Sequence, residues 1–181
     1  MLNLKFFNLF KKIKMFDIII YHQSCPDGIF SVYELLRFFK PKYIIPCKAG
    51  IMPDLTSIKE NYNDLSVIFV DISPVSFESL LKFKNVTICD HHKSAETFFK
   101  ESIIPNNFEV IFDMERSGAQ ITSDYICNKF NSKNGRLWIT DYVGDRDLWK
   151  FKLPFSREIN YSFFKLGLFY KIQCHFLKTL T

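Results

Sequence analysis

His22, Asp27, Asp71 and the run Asp90-His91-His92 are the residues of this chain whose types best suit chemistry, and they follow stretches that read as β-strands. Carboxylates and imidazoles together, with few thiols, suit divalent ions such as Mn2+ or Zn2+ better than a soft-metal site. Two such ions held close together could clamp a phosphoryl group and lower the pKa of a water. Carboxylates are needed for that, because they reduce the repulsion between two dications. Taken alone, an Asp after a strand is more often a helix cap or turn residue, and a His more often a surface or core residue. Recurrence after several separate strands is what favours a common site. Cys25 reads as a small, semi-buried apolar residue and not as a ligand.

The elements that must position these residues alternate between strand and helix. Residues 16–21 form a short Ile-rich apolar run, as expected of a strand buried on both faces, and Cys25-Pro26-Asp27-Gly28 is turn chemistry. A helix is predicted next, with Ile29, Val32, Tyr33 and Leu36 on one face, ending at Lys40 before Pro41. Further strands are predicted over residues 43–47, 67–71, 86–89 and 108–112. Ser73-Pro74 reads as the opening of a helix through Leu81, since Pro is tolerated in a first turn. Ser117 can cap a helix that places Ala119, Thr122, Ile126 and Phe130 on one face. The chain from Arg136 onward reads as helical with a break near Pro154. This pattern predicts an α/β fold with a mainly parallel sheet flanked by helices. In such sheets ligands bind at the carboxyl ends of the strands, where the candidate residues lie.

Composition bounds the answer without choosing it. A chain of 181 residues with 48% hydrophobic and 24% charged residues suits one globular domain with a real core. The net charge of +5 is compatible with a polyanionic substrate but too small to argue nucleic-acid binding alone. The 21 Phe residues read as compositional drift, so single Phe residues carry no functional weight. Five cysteines without a C-x-x-C pair indicate neither a disulfide framework nor a zinc finger, and a reducing, cytoplasmic location is expected. No apolar run approaches the roughly 18 residues of a membrane span. Residues 1–14 read as an N-terminal extension and not a signal peptide, because their lysines gather at the end, and Met15 is an alternative start.

Four segments together resemble the DHH phosphoesterase superfamily. They are Tyr21-His22-Gln23-Ser24-Cys25-Pro26-Asp27-Gly28, Val70-Asp71, Cys89-Asp90-His91-His92-Lys93-Ser94-Ala95, and Tyr142-Val143-Gly144-Asp145-Arg146-Asp147-Leu148-Trp149. Phe112-Asp113 followed by Arg116-Ser117-Gly118-Ala119 is also similar to a helix start in that family. The resemblance covers about residues 16–160, in the family's order. It implies a hydrolytic site with two divalent ions, Mn2+ by preference, with Mg2+ or Zn2+ as alternatives. Carried over by position, His22, Asp27, Asp71, His91 and Asp145 would be metal ligands, with Asp71 placed to bridge. His92 would stand beside the scissile phosphate and Asp90 would orient the imidazoles. Arg146 or Asp147 would assist, and Arg146, Ser117 and Gly118 would touch the substrate.

Two departures from the family's pattern matter. Many members carry a second Asp two positions before the one matching Asp27, and here that position is Cys25. Many also carry a C-terminal domain that grips substrate, for which residues 161–181 are too short, so a catalytic domain at 15–160 with a helical tail is expected. The apolar residues of that tail would fold back on the core or mediate self-association. Two functions follow. One is metal-dependent hydrolysis of a phosphodiester or phosphoanhydride in a nucleotide, short oligonucleotide or polyphosphate. The other is a weak or inactive DHH-like domain that binds a nucleotide or a protein.

Overall fold

The computed structural model of the protein describes residues 15–167. Five strands, β1 (Ile18–His22), β2 (Tyr43–Cys47), β3 (Ser66–Val70), β4 (Asn85–Asp90) and β5 (Phe108–Phe112), form one sheet in the order β2-β1-β3-β4-β5. Every pairing is parallel. The helices are α1 (Pro26–Leu36), α2 (Lys93–Glu101), α3 (Gly118–Lys129), α4 (Trp138–Asp147) and α5 (Ser156–Lys165). The α/β architecture expected from the sequence is therefore the one observed.

Side-chain alternation explains why the strands read as unbroken apolar runs. Ile18 and Ile20 of β1 point to one face and Ile19 and Tyr21 to the other, and all four are fully buried. One face is covered by α1, α3 and α4, which bring Ile29, Val32, Leu35, Ile121, Ile126 and Val143. The opposite face is covered mainly by irregular chain, through Ile58, Leu65, Ile72, Leu80 and Phe83. A parallel sheet needs both faces covered, and this one meets that need with α1, α3 and α4 on one side and mainly loops, with Phe99 of α2, on the other.

The helix expected from Ser73-Pro74 to Leu81 is absent. Only a single 3-10 turn, Glu78–Leu80, forms there. Val75, Ser76 and Phe77 have weak helix propensity, and Phe77 instead packs among Phe98, Phe99 and Phe108. α1 ends at Leu36, short of Lys40. The boundary expected at residue 160 falls inside α5, whose Phe163 packs back onto Phe30 of α1. The extension at 1–14 and the tail beyond residue 167 lie outside the described residues.

The sheet order places the functional edge. The chain passes from β1 outward to β2, then returns to the other side of β1 for β3. Between the carboxyl ends of β1 and β3 the connections therefore diverge, and a crevice opens where they part. His22 ends β1, Asp71 follows β3, and Asp90 ends β4.

Candidate metal centre

Asp71 stands at the middle of this edge, fully buried, with its backbone in the left-handed region at φ 59°. For a residue with a β-carbon that conformation is uncommon and needs support from its surroundings. Part of the support is the hydrogen bond from Asp71 N to the Cys89 carbonyl, 2.9 Å. The imidazole of His91 supplies more, with Nε2 3.1 Å from Asp71 Oδ1. On the other side His22 Nδ1 approaches Asp71 Oδ2 to 3.3 Å without hydrogen-bond geometry. Both of these atoms are buried and have no hydrogen-bond partner.

The first turn brings its carboxylate in by a different route. Gly28 packs so closely on β1 that a β-carbon there would lie 2.5 Å from the His22 carbonyl oxygen. Its neighbour Asp27 faces the start of α3, where Ser117 Oγ donates to Asp27 Oδ1 (2.7 Å), Gly118 N to Oδ2 (2.5 Å) and Ala119 N to Oδ1 (3.1 Å). A carboxylate there satisfies amides that have no partner within the helix, and it interacts favourably with the helix dipole. Ser117 also forms a capping box with Gln120. The cap predicted from the sequence is therefore present, but Ser117 and Gly118 donate to Asp27. This corrects their assignment as substrate contacts, because Ser117 is fully buried and both donors are engaged.

His91 joins the pieces. Besides Asp71, its Nε2 lies 3.5 Å from Asp147 Oδ2 and 3.6 Å from Asp27 Oδ2. The ligand atoms of Asp27, His91 and Asp147 all fall within 4.8 Å of one another, as do those of Asp71, His91 and His92, and those of His22, Cys25 and Asp71. Asp71 and His91 each belong to two of these groups. Four of the five expected ligands, His22, Asp27, Asp71 and His91, thus converge.

Asp145 does not. Its oxygens accept from Lys152 N (2.8 Å) and Leu153 N (3.2 Å), so it closes the loop after α4 and Asp147 takes its place in the cluster. Burial would raise the Asp145 carboxyl, but Ser156 and these two amides outweigh it and hold the group below its ordinary range. Arg146 also departs from expectation. It lines a separate recess with Phe151, Arg157, Asn160, Tyr161 and Phe164, away from Asp71.

Asp90 and His92 form a pair at the rim. His92 Nδ1 lies 2.7 Å from Asp90 Oδ1, which also accepts from His91 N at 2.8 Å. Ser73 Oγ donates to Asp90 Oδ2 at 2.5 Å, a partner the sequence concealed because Ser73 read as a helix start. With Nδ1 taken by Asp90, Nε2 is the His92 nitrogen left for a ligand. His92 lines a cleft of about 310 Å³ with His22, Gly50, Asp71, Pro74, Val75, Ser94 and Phe98.

The electrostatics explain what such a cluster needs. Burial would raise Asp71, yet the His22 and His91 imidazoles outweigh it and hold the carboxyl well below the usual aspartate range. Asp27 is pushed well up by burial and by repulsion from Asp71 and Asp147. Burial and Asp71 raise Asp147 likewise. Burial disfavours the His91 imidazolium, but Asp71, Asp27 and Asp147 overcome this and raise it to about 9. The Cys25 thiol is pushed far above its usual range by burial, then by Asp71 and Asp27. Three aspartates thus crowd around His91, and cations would relieve the repulsion that raises Asp27 and Asp147. Orphaned His22 Nδ1 and Asp71 Oδ2, facing each other, are the atoms a dication would satisfy, so the donor set fits divalent metal.

No protein-family model matches the chain. It is 30% identical over 164 residues to an uncharacterized protein of Acanthamoeba polyphaga mimivirus, a match covering 82% of this chain. The chain spans only 37% of that relative's length. In structure it is similar to an uncharacterized protein from Helicobacter pylori, with a TM-score of 0.52 and 14% identity over 75% of this chain and 44% of that one. This second likeness concerns the fold. Among the described residues no helix is long and apolar enough to cross a membrane.

Proposed function

We propose that this chain is a metal-dependent phosphohydrolase of the DHH phosphoesterase type, acting on a phosphodiester or phosphoanhydride in a nucleotide, short oligonucleotide or polyphosphate. The observation that carries this reading is the shared position of Asp71, whose two oxygens face His91 on one side and His22 on the other. One carboxylate placed between two sets of donors is the arrangement that two neighbouring dications require. Asp27, Asp71, His91 and Asp147 would hold one ion, and His22 and Asp71 would hold the second. When bound, Mn2+ or a similar ion would supply charge to neutralise phosphoryl oxygens and lower the pKa of a water, so that it could lose a proton and serve as a hydroxide nucleophile.

The remaining work belongs to the protein's own groups. Asp90 fixes the His92 ring, and its hydrogen bond, opposed by burial, holds the imidazole above its ordinary pKa. His92 can therefore present a protonated Nε2 to a phosphate in the cleft, steadying its developing charge or protonating the departing oxygen. The α3 amides and Ser117 keep Asp27 from turning away when no ion is present. Around the cleft, Ala49, Pro74, Val75 and Phe98 give an apolar wall suited to part of a small ligand and not only to its phosphate. Exposed Tyr161, Phe164 and Leu166 on α5 and its end suit self-association with a second chain, which sedimentation would detect. The described cysteines are all free, in keeping with a reducing, cytoplasm-like setting.

The test is release of product from short RNA, a cyclic dinucleotide and polyphosphate, with Mn2+, Mg2+ and Zn2+ each supplied in turn. At least one substrate should be hydrolysed only with a dication. Asp71→Asn should reduce that rate to background, and His92→Ala should lower it about 100-fold or more while leaving ion binding intact. No dication binding by calorimetry, together with no hydrolysis of any substrate, would refute the proposal.

A further inference from the structure

The proposed reading leaves the His22 side of the cluster with fewer carboxylates than the His91 side. Cys25 stands where the difference arises. Its Sγ lies within 4.8 Å of a ligand atom of His22 and of one of Asp71, the two residues that carry the buried, unpartnered Nδ1 and Oδ2. Cys25 is the N-cap of α1, yet its side chain makes no capping hydrogen bond.

Comparison with the other described cysteines separates a packing role from a ligand role. Cys47 belongs to one apolar core and donates to the Ile51 carbonyl, 3.2 Å away. Cys89 and Cys127 belong to the other core, and Cys127 donates to the Gly135 carbonyl at 3.5 Å. Cys25 belongs to neither core, and the charged groups around it are the Asp71 and Asp27 carboxylates. A sulfur placed as packing would not be set among carboxylates and an imidazole.

Resting on the two-ion reading, we infer that Cys25 is a metal ligand, making His22, Cys25 and Asp71 a nitrogen–sulfur–oxygen site for a zinc-type dication. The two halves of the cluster then differ in softness. Asp27, Asp71, His91 and Asp147 offer three carboxylates and one imidazole, which suit Mn2+ or Mg2+, whereas a thiolate favours Zn2+ or Co2+ over either. The protein binds two different ions in neighbouring positions, and the identity of residue 25 sets which ion enters the His22 side.

Cobalt makes the sulfur visible, because a thiolate bound to Co2+ gives an intense charge-transfer absorption in the near ultraviolet that nitrogen and oxygen ligands do not. Metal-free full-length protein titrated with Co2+ should develop this band, and equimolar Zn2+ should abolish it while Mn2+ should not. Cys25→Ser should lose the band and bind Zn2+ about tenfold more weakly or worse, whereas Cys127→Ser should keep both. Cys25→Asp should also lose the band but gain a second Mn2+ equivalent by calorimetry. Co2+ binding without the band, or a band that survives in Cys25→Ser, would overturn the inference and leave the two-ion reading standing. Absence of binding by Co2+, Zn2+ and Mn2+ alike would overturn both. Absence of the band from the wild-type spectrum overturns the inference even where a variant fails to fold.

Discussion

Gly118 lies so close to Asp71 that a β-carbon added to it would stand 2.6 Å from the Asp71 β-carbon and 2.8 Å from its Oδ1. The start of α3 and the end of β3 are pressed together at the point where the candidate ligands meet. The glycine is there for proximity, since an ordinary helical residue could adopt its backbone angles. Gly118→Ala should therefore destabilise the fold by about 1–3 kcal/mol through overpacking and push Asp71 from its place. Thermal melts with and without Mn2+ test both effects. The melting temperature should fall, and the increase produced by the ion should shrink. A variant with wild-type values on both counts would mean that Asp71 has room to retreat.

Asp145 and Asp147 should respond in opposite senses. Burial and Asp71 raise the Asp147 carboxyl in the folded protein. A raised acid pKa means that ionising the group near neutral pH works against folding, so Asp147→Asn should raise the melting temperature in chelator. The same change removes a candidate ligand and should reduce the stabilisation given by Mn2+. Asp145→Asn instead loses the charged acceptor for Lys152 N and Leu153 N, costing about 1–3 kcal/mol, with the ion effect unchanged. Reversed outcomes would return the ligand role to Asp145.

Glu34 should prove a structural keystone that is silent in ion binding. It is fully buried on α1, and its Oε1 accepts from Leu137 N at 2.9 Å and Thr140 Oγ1 at 2.6 Å, while Arg37 pairs with its other oxygen. These contacts tie α1 to the start of α4, the helix that delivers Asp147. Glu34→Ala strands an amide, a hydroxyl and a guanidinium, and should cost about 3 kcal/mol in a denaturant titration. Folded protein should retain wild-type Mn2+ affinity. A loss below about 1 kcal/mol would show that water replaces the carboxylate readily.

Asp113 gives a small acid-side signature. The Glu115 amide and then Arg116 hold its carboxyl below the ordinary value of 3.8. A depressed carboxyl stabilises the fold above the unfolded value and loses that contribution as pH falls through the folded value. The Asp113→Asn variant should thus be less stable than wild type at neutral pH, with the gap closing below pH of about 4. Denaturant midpoints from neutral pH down to about 3 provide the measurement. A gap that is constant across this range would assign the effect to shape and not to charge.

Much of the scaffold was readable in the chain because parallel strands are buried on both faces and need continuous apolar runs. Residues 18–21 and 67–70 showed this, and the predicted strands lie within a residue or two of those observed. Helix α3 was readable from Ser117, since a cap is a local interaction between residues three apart. The helix expected after Ser73 failed because Phe77 gains more from packing on α2 and β5 than from a local turn. α2 was missed for the converse reason, being short and polar with Ala95 as its one buried residue.

The sequence by itself determined that His22, Asp27, Asp71 and His91 would lie at one sheet edge, because alternating strands and helices force the strand ends to a common side. Only the tertiary structure decided between Asp145 and Asp147. The two are separated by two positions on one helix, so they point in different directions, and which direction meets the cluster depends on how α4 packs against α1 and α3. Packing also decided that the start of α3 would be spent on Asp27, and that Cys25 would face His22 and Asp71 instead of a core. Residue type and spacing fix which groups can reach an edge. The directions of side chains from separate elements are fixed only when those elements close on one another.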